Sequence, residues 1–355
     1  MKNKSISMIF ILLFLLLSLI PSIGMLFQGE VKAAANETLA SAPELTGRDG
    51  KLNIAVLKQT SDYVSDRFFM RKPLITAWAE LNAALLRSSA NESVVLGSDG
   101  WLYFSDSLND YRGRSMEEDA LRRVAENLSR MQAFAEKNGI RFLFTVAPNK
   151  NSLYPEHMPH SIPHEHELSS IKRLLPYLEE YGVHYVDLFS VFAEAGECYF
   201  YKTDSHWTDQ GAALAADALL HAAEKESAYF SGAFNKGEDH RGDLYEMLYP
   251  SGSLREESLV YTPFSFQSLN NPNGGNALRI LTHNESASGK LFCWRDSFGI
   301  SLYPYLAESY SDALFSRSES YDLNQVLSFE ADTLVLEIVE RNLPRLAEMD
   351  LTIPD

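Results

Sequence analysis

The sequence predicts an α/β protein, a three-layer α/β/α sandwich around a parallel sheet, and three observations carry that expectation. Amphipathic helical stretches alternate with short apolar strands, as when crossover helices cover both faces of a sheet. The rhythm occurs twice, before and after an irregular middle, with polar residues where the strands run out. A 45% hydrophobic content with 12% aromatics over 355 residues is enough to fill such a core.

The chain opens with Lys2 and Lys4 ahead of "MIFILLFLLLSLI", Met8 to Ile20, short for a membrane span and suited to the apolar part of an export signal. Pro21, Ser22 and Gly24 should loosen that helix. Residues 1–35 are therefore expected to be a signal peptide or a signal anchor. Ala33 to Ala35 offer small residues for cleavage, whereas "GMLF" carries the apolar run on to Phe27. Either outcome puts the protein outside the cytoplasm, secreted or anchored to the cell membrane.

Residues 36–89 read as a polar tether to Lys51 followed by a helical region from Ser61 to Ser88. The main domain is expected over residues 90–345. In it, "VVLGSDGWLYF" is two short strands joined by a tight turn, and "SMEEDALRRVAENLSRMQAFAEKNG" is a helix stopped at Gly139. "IRFLFTVAP" is a buried strand, "LSSIKRLLPYLEEYG" a second helix and "VHYVDLF" a second strand. Residues 225–285, rich in Gly, Ser, Asn and Pro, read as an irregular insertion or lid. Then "GKLFCWRDSFGISLYPYLAESY" gives strand, turn and helix, and "SDALFSR" and "ADTLVLEIVERNL" give strands. Residues 346–355 are left as a C-terminal tail, too short for a further carbohydrate-binding module.

A formal charge of −17 repels phosphate backbones and anionic headgroups, so nucleic acid and electrostatic membrane binding are excluded as expected partners. Cys198 and Cys293 are the two cysteines. Export would permit a disulfide, and two buried, unpaired thiols is the simpler reading. His157, His160, His164 and His166 crowd one segment, but its prolines break any helical ligand spacing, so a solvated loop is expected there and no metal.

Ligands of an open parallel sheet collect at the carboxyl ends of its strands. Four polar clusters fall there: Pro148-Asn149-Lys150, Asp204 with His206, Arg295-Asp296-Ser297, and Glu340-Arg341-Asn342. Taken alone, Ser297 is a helix cap, and Asp204 and His206 are a surface pair before a helix capped by Thr208. Taken together, they supply the nucleophile, base and orienting carboxylate that acyl transfer needs. Residues two apart on an extended segment face one side, so Asp204 can hold one nitrogen of His206 while the other meets a hydroxyl. Backbone N–H groups beside Ser297 would then receive an oxyanion.

The ordered set "GSDGWLYF", "VAPNKNSLYPEHMP", "YKTDSHWTDQGA", "RGDL", "WRDSFG" and "VERNLP" resembles the alginate O-acetyltransferase family of SGNH-hydrolase-like proteins, over about residues 90–345. The resemblance implies a circularly permuted motif order, the Asp-His block preceding the serine block. The sequence holds no Gly-rich nucleotide loop, Cys-x-x-Cys pair or His-Glu-x-x-His motif, and no cofactor is expected. The resemblance also implies acetyl transfer to an exported polysaccharide acceptor, with Ser297 as nucleophile, His206 as base and Asp204 as its partner. The acetyl donor would be supplied by a membrane acyltransferase. Arg295 stands where the family carries glycine. Asn342, or failing it Arg341, takes the oxyanion asparagine's place by this analogy. Tyr303 lines the acceptor site or packs in the core; Asn149 and Lys150 shape the loops; Trp101 and Trp207 stack on sugar or pack. Lys150, Lys202, Arg295 and Arg341 are the cations available to draw in an acidic acceptor. The other readings are a carbohydrate O-acetylesterase, with water as acceptor, and a non-catalytic polysaccharide-assembly protein.

Overall fold

The structure is a computed structural model that describes residues 2–31, 38–47, 50–164, 169–261, 263–270 and 274–354. Ala33 to Ala35 and His166 lie outside the described residues. The chain divides into two compact units, Met1–Asn91 with Tyr245–Leu254, and Glu92–Leu244 with Arg255–Asp355.

The first unit holds helices α1 (Lys2–Phe27), α2 (Val56–Asp66) and α3 (Arg71–Leu86). Pro21 sits inside α1 and does not end it, because a proline withdraws only its own N–H from the ladder and the flanking residues carry on. The 22 residues Ile6–Phe27 are long and apolar enough to cross a membrane by length and composition. Residues 245–254 join this unit through a Thr76 Oγ1 to Ser251 Oγ contact of 3.0 Å and an Asn91 Nδ2 bond of 3.0 Å to the Met247 carbonyl.

The second unit begins with the expected hairpin, β1 (Val94–Leu96) antiparallel to β2 (Leu102–Phe104). Next come α4 (Leu108–Tyr111), α5 (Glu118–Lys137), β3 (Arg141–Ala147), α6 (Lys150–Leu153), α7 (Ser170–Glu180), β4 (Tyr185–Val186), α8 (Leu188–Ala195) and α9 (Asp209–Ala222). The middle carries β5 (Phe234–Lys236), α10 (Asp243–Leu248, shared with the first unit), β6 (Leu259–Tyr261), β7 (Gln267–Ser268) and β8 (Arg279–His283). The last part runs β9 (Lys290–Trp294), α11 (Gly299–Ser309), β10 (Asp312–Ser316), β11 (Ser320–Asp322), α12 (Leu323–Ser328), β12 (Thr333–Val339) and β13 (Asp350–Thr352).

Seven strands form one sheet in the order β4-β3-β12-β9-β10-β8-β7. Side-chain alternation builds three layers. Phe142, Phe144, Phe292, Trp294, Leu334 and Leu336 face a core shared with α5, α7 and α12. Leu143, Leu291, Cys293, Phe315 and Val335 face the other, shared with α8, α9 and α11. The strands from β4 to β10 are parallel, but β8 pairs antiparallel with β10 and β7 antiparallel with β8, so the sheet is mixed where a parallel one was expected. These edge strands hide in the stretch read as irregular. Only two positions of β8 and none of β7 are buried, so neither reads as an apolar run. Residues 346–355 differ too: β13 pairs parallel with β11, and Leu346 is buried.

Candidate active site

The serine turn is built at the end of β9. Trp294 closes the strand, and Arg295-Asp296-Ser297 leads into α11. Asp296 fixes the turn: its Oδ1 accepts the Phe298 N–H at 2.9 Å, and its Oδ2 accepts the Val339 N–H at 2.8 Å and the Asn342 amide at 3.2 Å. The nucleophile turn is thereby clamped to the end of β12. Beneath it Glu337 accepts the Asp296 N–H at 3.1 Å, and burial first, then the charge of Asp296, push its carboxyl well above the usual range. Arg295 runs across Gly299, where a Cβ would stand 2.4 Å from Arg295 Cδ, and donates to the carbonyls of Gly275 (2.7 Å) and Ala277 (3.0 Å). It braces a loop while also lining the cavity that Ser297 and Asn342 line.

The Asp-His segment folds back on itself through a Phe200 to Trp207 bridge and a Thr208 N–H bond of 2.7 Å to the Tyr199 carbonyl. Thr208 caps α9, as expected, by accepting the Gly211 N–H. Buried Lys150 donates to the carbonyls of Tyr201 (3.0 Å), Lys202 (2.9 Å) and Asp204 (2.5 Å). From the other side Glu256 accepts the N–H groups of Lys202 and Thr203, each at 2.8 Å.

These supports bring the three side chains together. His206 Nδ1 lies 2.8 Å from Asp204 Oδ1 and its Nε2 lies 3.0 Å from Ser297 Oγ. With Nδ1–H donating to the carboxylate, Nε2 is left to accept the serine hydroxyl. Burial works to raise the Asp204 pKa, but the hydrogen bonds of His206 and His240 outweigh it and hold the carboxyl well below the usual range. Burial likewise works to lower His206, and the Asp204 bond and charge, with the charge of Asp243, raise it above its ordinary value.

The remaining expected residues divide. Asn342 lines, with Ser297, Arg317 and Tyr321, a cavity of about 890 Å³. Arg341 lies 5.5 Å from the Phe298 ring and 3.5 Å from Asn149 Oδ1, and its charge is felt by His206. Tyr303 packs against Phe315 and Phe266 and is not among the residues lining that cavity. Trp207 is buried, stacks on Phe192 and donates to Ser301 Oγ at 2.8 Å, so it is core and not a sugar platform. Trp101 is buried as well, stacked on His157. Lys150 spends its donors on carbonyls, which removes it from the cationic patch expected near these motifs, whereas Arg295 lines the cavity beside Ser297. Cys198 and Cys293 are unpaired; Cys293 is buried, but Cys198 is exposed, against the expectation of two buried thiols.

Three residues at the site had been given no role. His240 Nε2 lies 2.8 Å from Asp204 Oδ2, which also accepts the Asp243 N–H at 2.9 Å. Asp243 in turn accepts the Ser205 N–H at 2.7 Å and the Ser205 hydroxyl at 2.6 Å. The signal was "RGDL", whose Gly242 lets the loop lie on the acid segment: a Cβ there would sit 2.2 Å from the Thr203 carbonyl oxygen. Asp204, His206 and Asp243 offer ligand atoms within 4.8 Å of one another, the spacing of a metal site. Both Asp204 oxygens and both Asp243 oxygens already accept N–H or O–H donors, a set that suits an oriented histidine and not a cation.

The fold is SGNH-hydrolase-like. Residues 94–262 match the family described as SGNH hydrolase-like domain, acetyltransferase AlgX. The chain is similar to proteins named probable alginate O-acetylase AlgJ, 26% identical over 220 residues to that of Pseudomonas syringae pv. tomato (59% of this chain, 54% of that protein). To that of Azotobacter vinelandii it is 27% identical over 242 residues (64% and 58%). The chain thus spans a little over half the length of these relatives. Its fold is shared with Bacillus cereus PatB1, solved with a sulfonyl adduct, at a TM-score of 0.55 and 16% identity, covering 70% of this chain and 95% of that one. The resemblance to the alginate O-acetyltransferase family therefore stands.

Proposed function

We propose that this protein is an extracytoplasmic O-acetyltransferase that moves acetyl groups through a seryl ester onto hydroxyls of an exported polysaccharide, and that residues 90–345 carry the activity. The observation that carries this reading is the chain of contacts from Asp204 Oδ1 through His206 to Ser297 Oγ, at 2.8 and 3.0 Å. The names of the relatives supply the substrate class. The order of motifs, Asp-His before serine, is read as a circular permutation of the usual SGNH arrangement.

In the first half, Ser297 Oγ attacks the acetyl carbonyl of the donor while His206 Nε2 takes the hydroxyl proton. The C–O or C–S bond to the donor's leaving group breaks, and His206 returns the proton to it. In the second half, His206 deprotonates a sugar hydroxyl, which attacks the seryl ester; the acyl C–O bond to Ser297 Oγ breaks and His206 returns the proton to that oxygen. The oxyanion of each half is received by the Ser297 N–H and by Asn342, whose amide spends one N–H on Asp296 and keeps the other. Arg341 adds positive charge beside them. The donor is an acyl group presented at the membrane by a partner acyltransferase, and α1 keeps the chain at that surface if it is not cleaved.

Turnover of an activated aryl acetate by wild type and Ser297→Ala tests the mechanism, with folding checked by circular dichroism. Acetate release should vanish in the variant, and unchanged turnover would end the seryl-ester reading. Adding neutral and uronic-acid oligosaccharides to wild type separates the acceptors. Acetylated sugar by mass spectrometry marks transfer, and free acetate alone, with stripping of pre-acetylated polymer, marks an esterase.

A further inference from the structure

We propose that His240 is a positioning residue of the catalytic apparatus: by donating to the second oxygen of Asp204 it divides that carboxylate between two imidazoles and sets how strongly His206 holds its proton. The inference rests on the seryl-ester reading and goes beyond it, since the triad needs one histidine only. His240 Nε2 stands 2.8 Å from Asp204 Oδ2, the same distance as His206 Nδ1 from Oδ1. The geometry is built from both sides. The ring stacks on Tyr201 with centroids 4.0 Å apart, and the backbone is bridged to Glu256, the residue that also ties down Lys202 and Thr203.

The consequence follows from carboxylate chemistry. Each donor on Asp204 draws charge from the oxygens and lessens the carboxylate's pull on the proton at His206 Nδ1. His240 therefore keeps His206 a weaker base than Asp204 alone would make it, and so readier to give its proton back to a leaving group. The other groups facing the pair are Asp243, which strengthens the hold on the proton; Arg341, which weakens it; and Lys150, whose ammonium meets the Asp204 carbonyl. Glu256 faces the same segment from outside. None of these is altered by changing His240.

Two variants separate donor from packing. His240→Phe keeps a ring over Tyr201 and removes the donor; His240→Gln keeps an N–H at about the reach of Nε2 and removes the ring. In a Ser297→Ala background, where turnover plays no part, the His206 imidazole is titrated by NMR in each. The expected result is a midpoint moved to higher pH in His240→Phe and held near the parent value in His240→Gln. With Ser297 restored, the acidic limb of kcat/KM should move the same way, with kcat lowered near the limb by less than the roughly 10²–10⁴-fold that a general base supplies, and KM little changed. An unmoved midpoint in a folded His240→Phe, or equal shifts in both variants, would overturn the proposal. Should His240→Phe not fold, a midpoint shift in His240→Gln as large as that in Asp204→Asn would overturn it as well. Failure of the seryl-ester reading shows separately, as activity that survives Ser297→Ala, and leaves the NMR result standing.

Discussion

Lys150 donates to the main-chain oxygen of Asp204 at 2.5 Å, so the residue just past the end of β3 holds the acid by its backbone while the acid holds His206 by its side chain. Two further carbonyls share the same ammonium. Burial brings the Lys150 pKa down to about 8, yet the carbonyls and the nearby acids favour the charged form.

Replacing Lys150 by Met leaves two enclosed carbonyls, those of Tyr201 and Asp204, without their donor, while the Lys202 carbonyl keeps the Leu102 N–H at 2.9 Å. The loss should be about 1–3 kcal/mol of stability, the usual cost of unsatisfied buried polar groups, and turnover should fall with it. Urea unfolding read alongside aryl acetate hydrolysis checks both, and a Met variant as stable and active as wild type would contradict the assigned support.

Glu337 gives the pH dependence of stability a definite sign. Its folded pKa is raised well above 4.5 by burial and by Asp296, whereas the unfolded chain loses the proton near 4.5. Between those values the folded state holds a proton that the unfolded state has released, so this residue's contribution declines as pH rises. Glu337→Gln should flatten that part of the stability profile, measured by urea melts at a series of pH values. An identical slope in both proteins would remove Glu337 from the account.

The base limb of the rate profile should lie on the alkaline side of an ordinary histidine. The raised His206 pKa means that the imidazole is protonated, and unable to take the serine proton, up to a pH above 6.5. Plots of log kcat/KM against pH should rise through a midpoint above that value, and a midpoint at or below it would disagree.

Asn342 and Arg341 are separable by substitution. Asn342→Ala should cost about a hundredfold or more in turnover, as loss of an oxyanion donor does, and Arg341→Gln less. The reverse ranking, in proteins with unchanged melting, would give the donor role to Arg341.

Much of this architecture is legible in the sequence because the central strands bury both faces, so "IRFLFTVAP" and "ADTLVLEIVERNL" announce themselves as unbroken apolar runs. The pairing of Asp204 and His206 is legible for a local reason, their spacing of two. What escapes is non-local or marginal. Gln267–Ser268 has no buried position to betray a strand. His240 reaches Asp204 from 36 residues away, through a loop whose course is set by Gly242 and the Glu256 bridge and not by any periodicity. Trp207 looks like a binding group in one dimension. Only packing reveals that the indole is enclosed by Phe192 and Phe298.

Strand β12 forms late along the chain but lies between β3 and β9 near the middle of the sheet, and its register with β3 joins Thr333 to Arg141. Until residues 333–339 are available, β3 and β9 have no neighbour in common, and each leaves one row of main-chain hydrogen-bonding groups open. A chain folding from its N-terminus leaves that gap open until its last long strand is available, and closing it means joining segments far apart in sequence, which slows folding. The interval is when strand-edge aggregation threatens most.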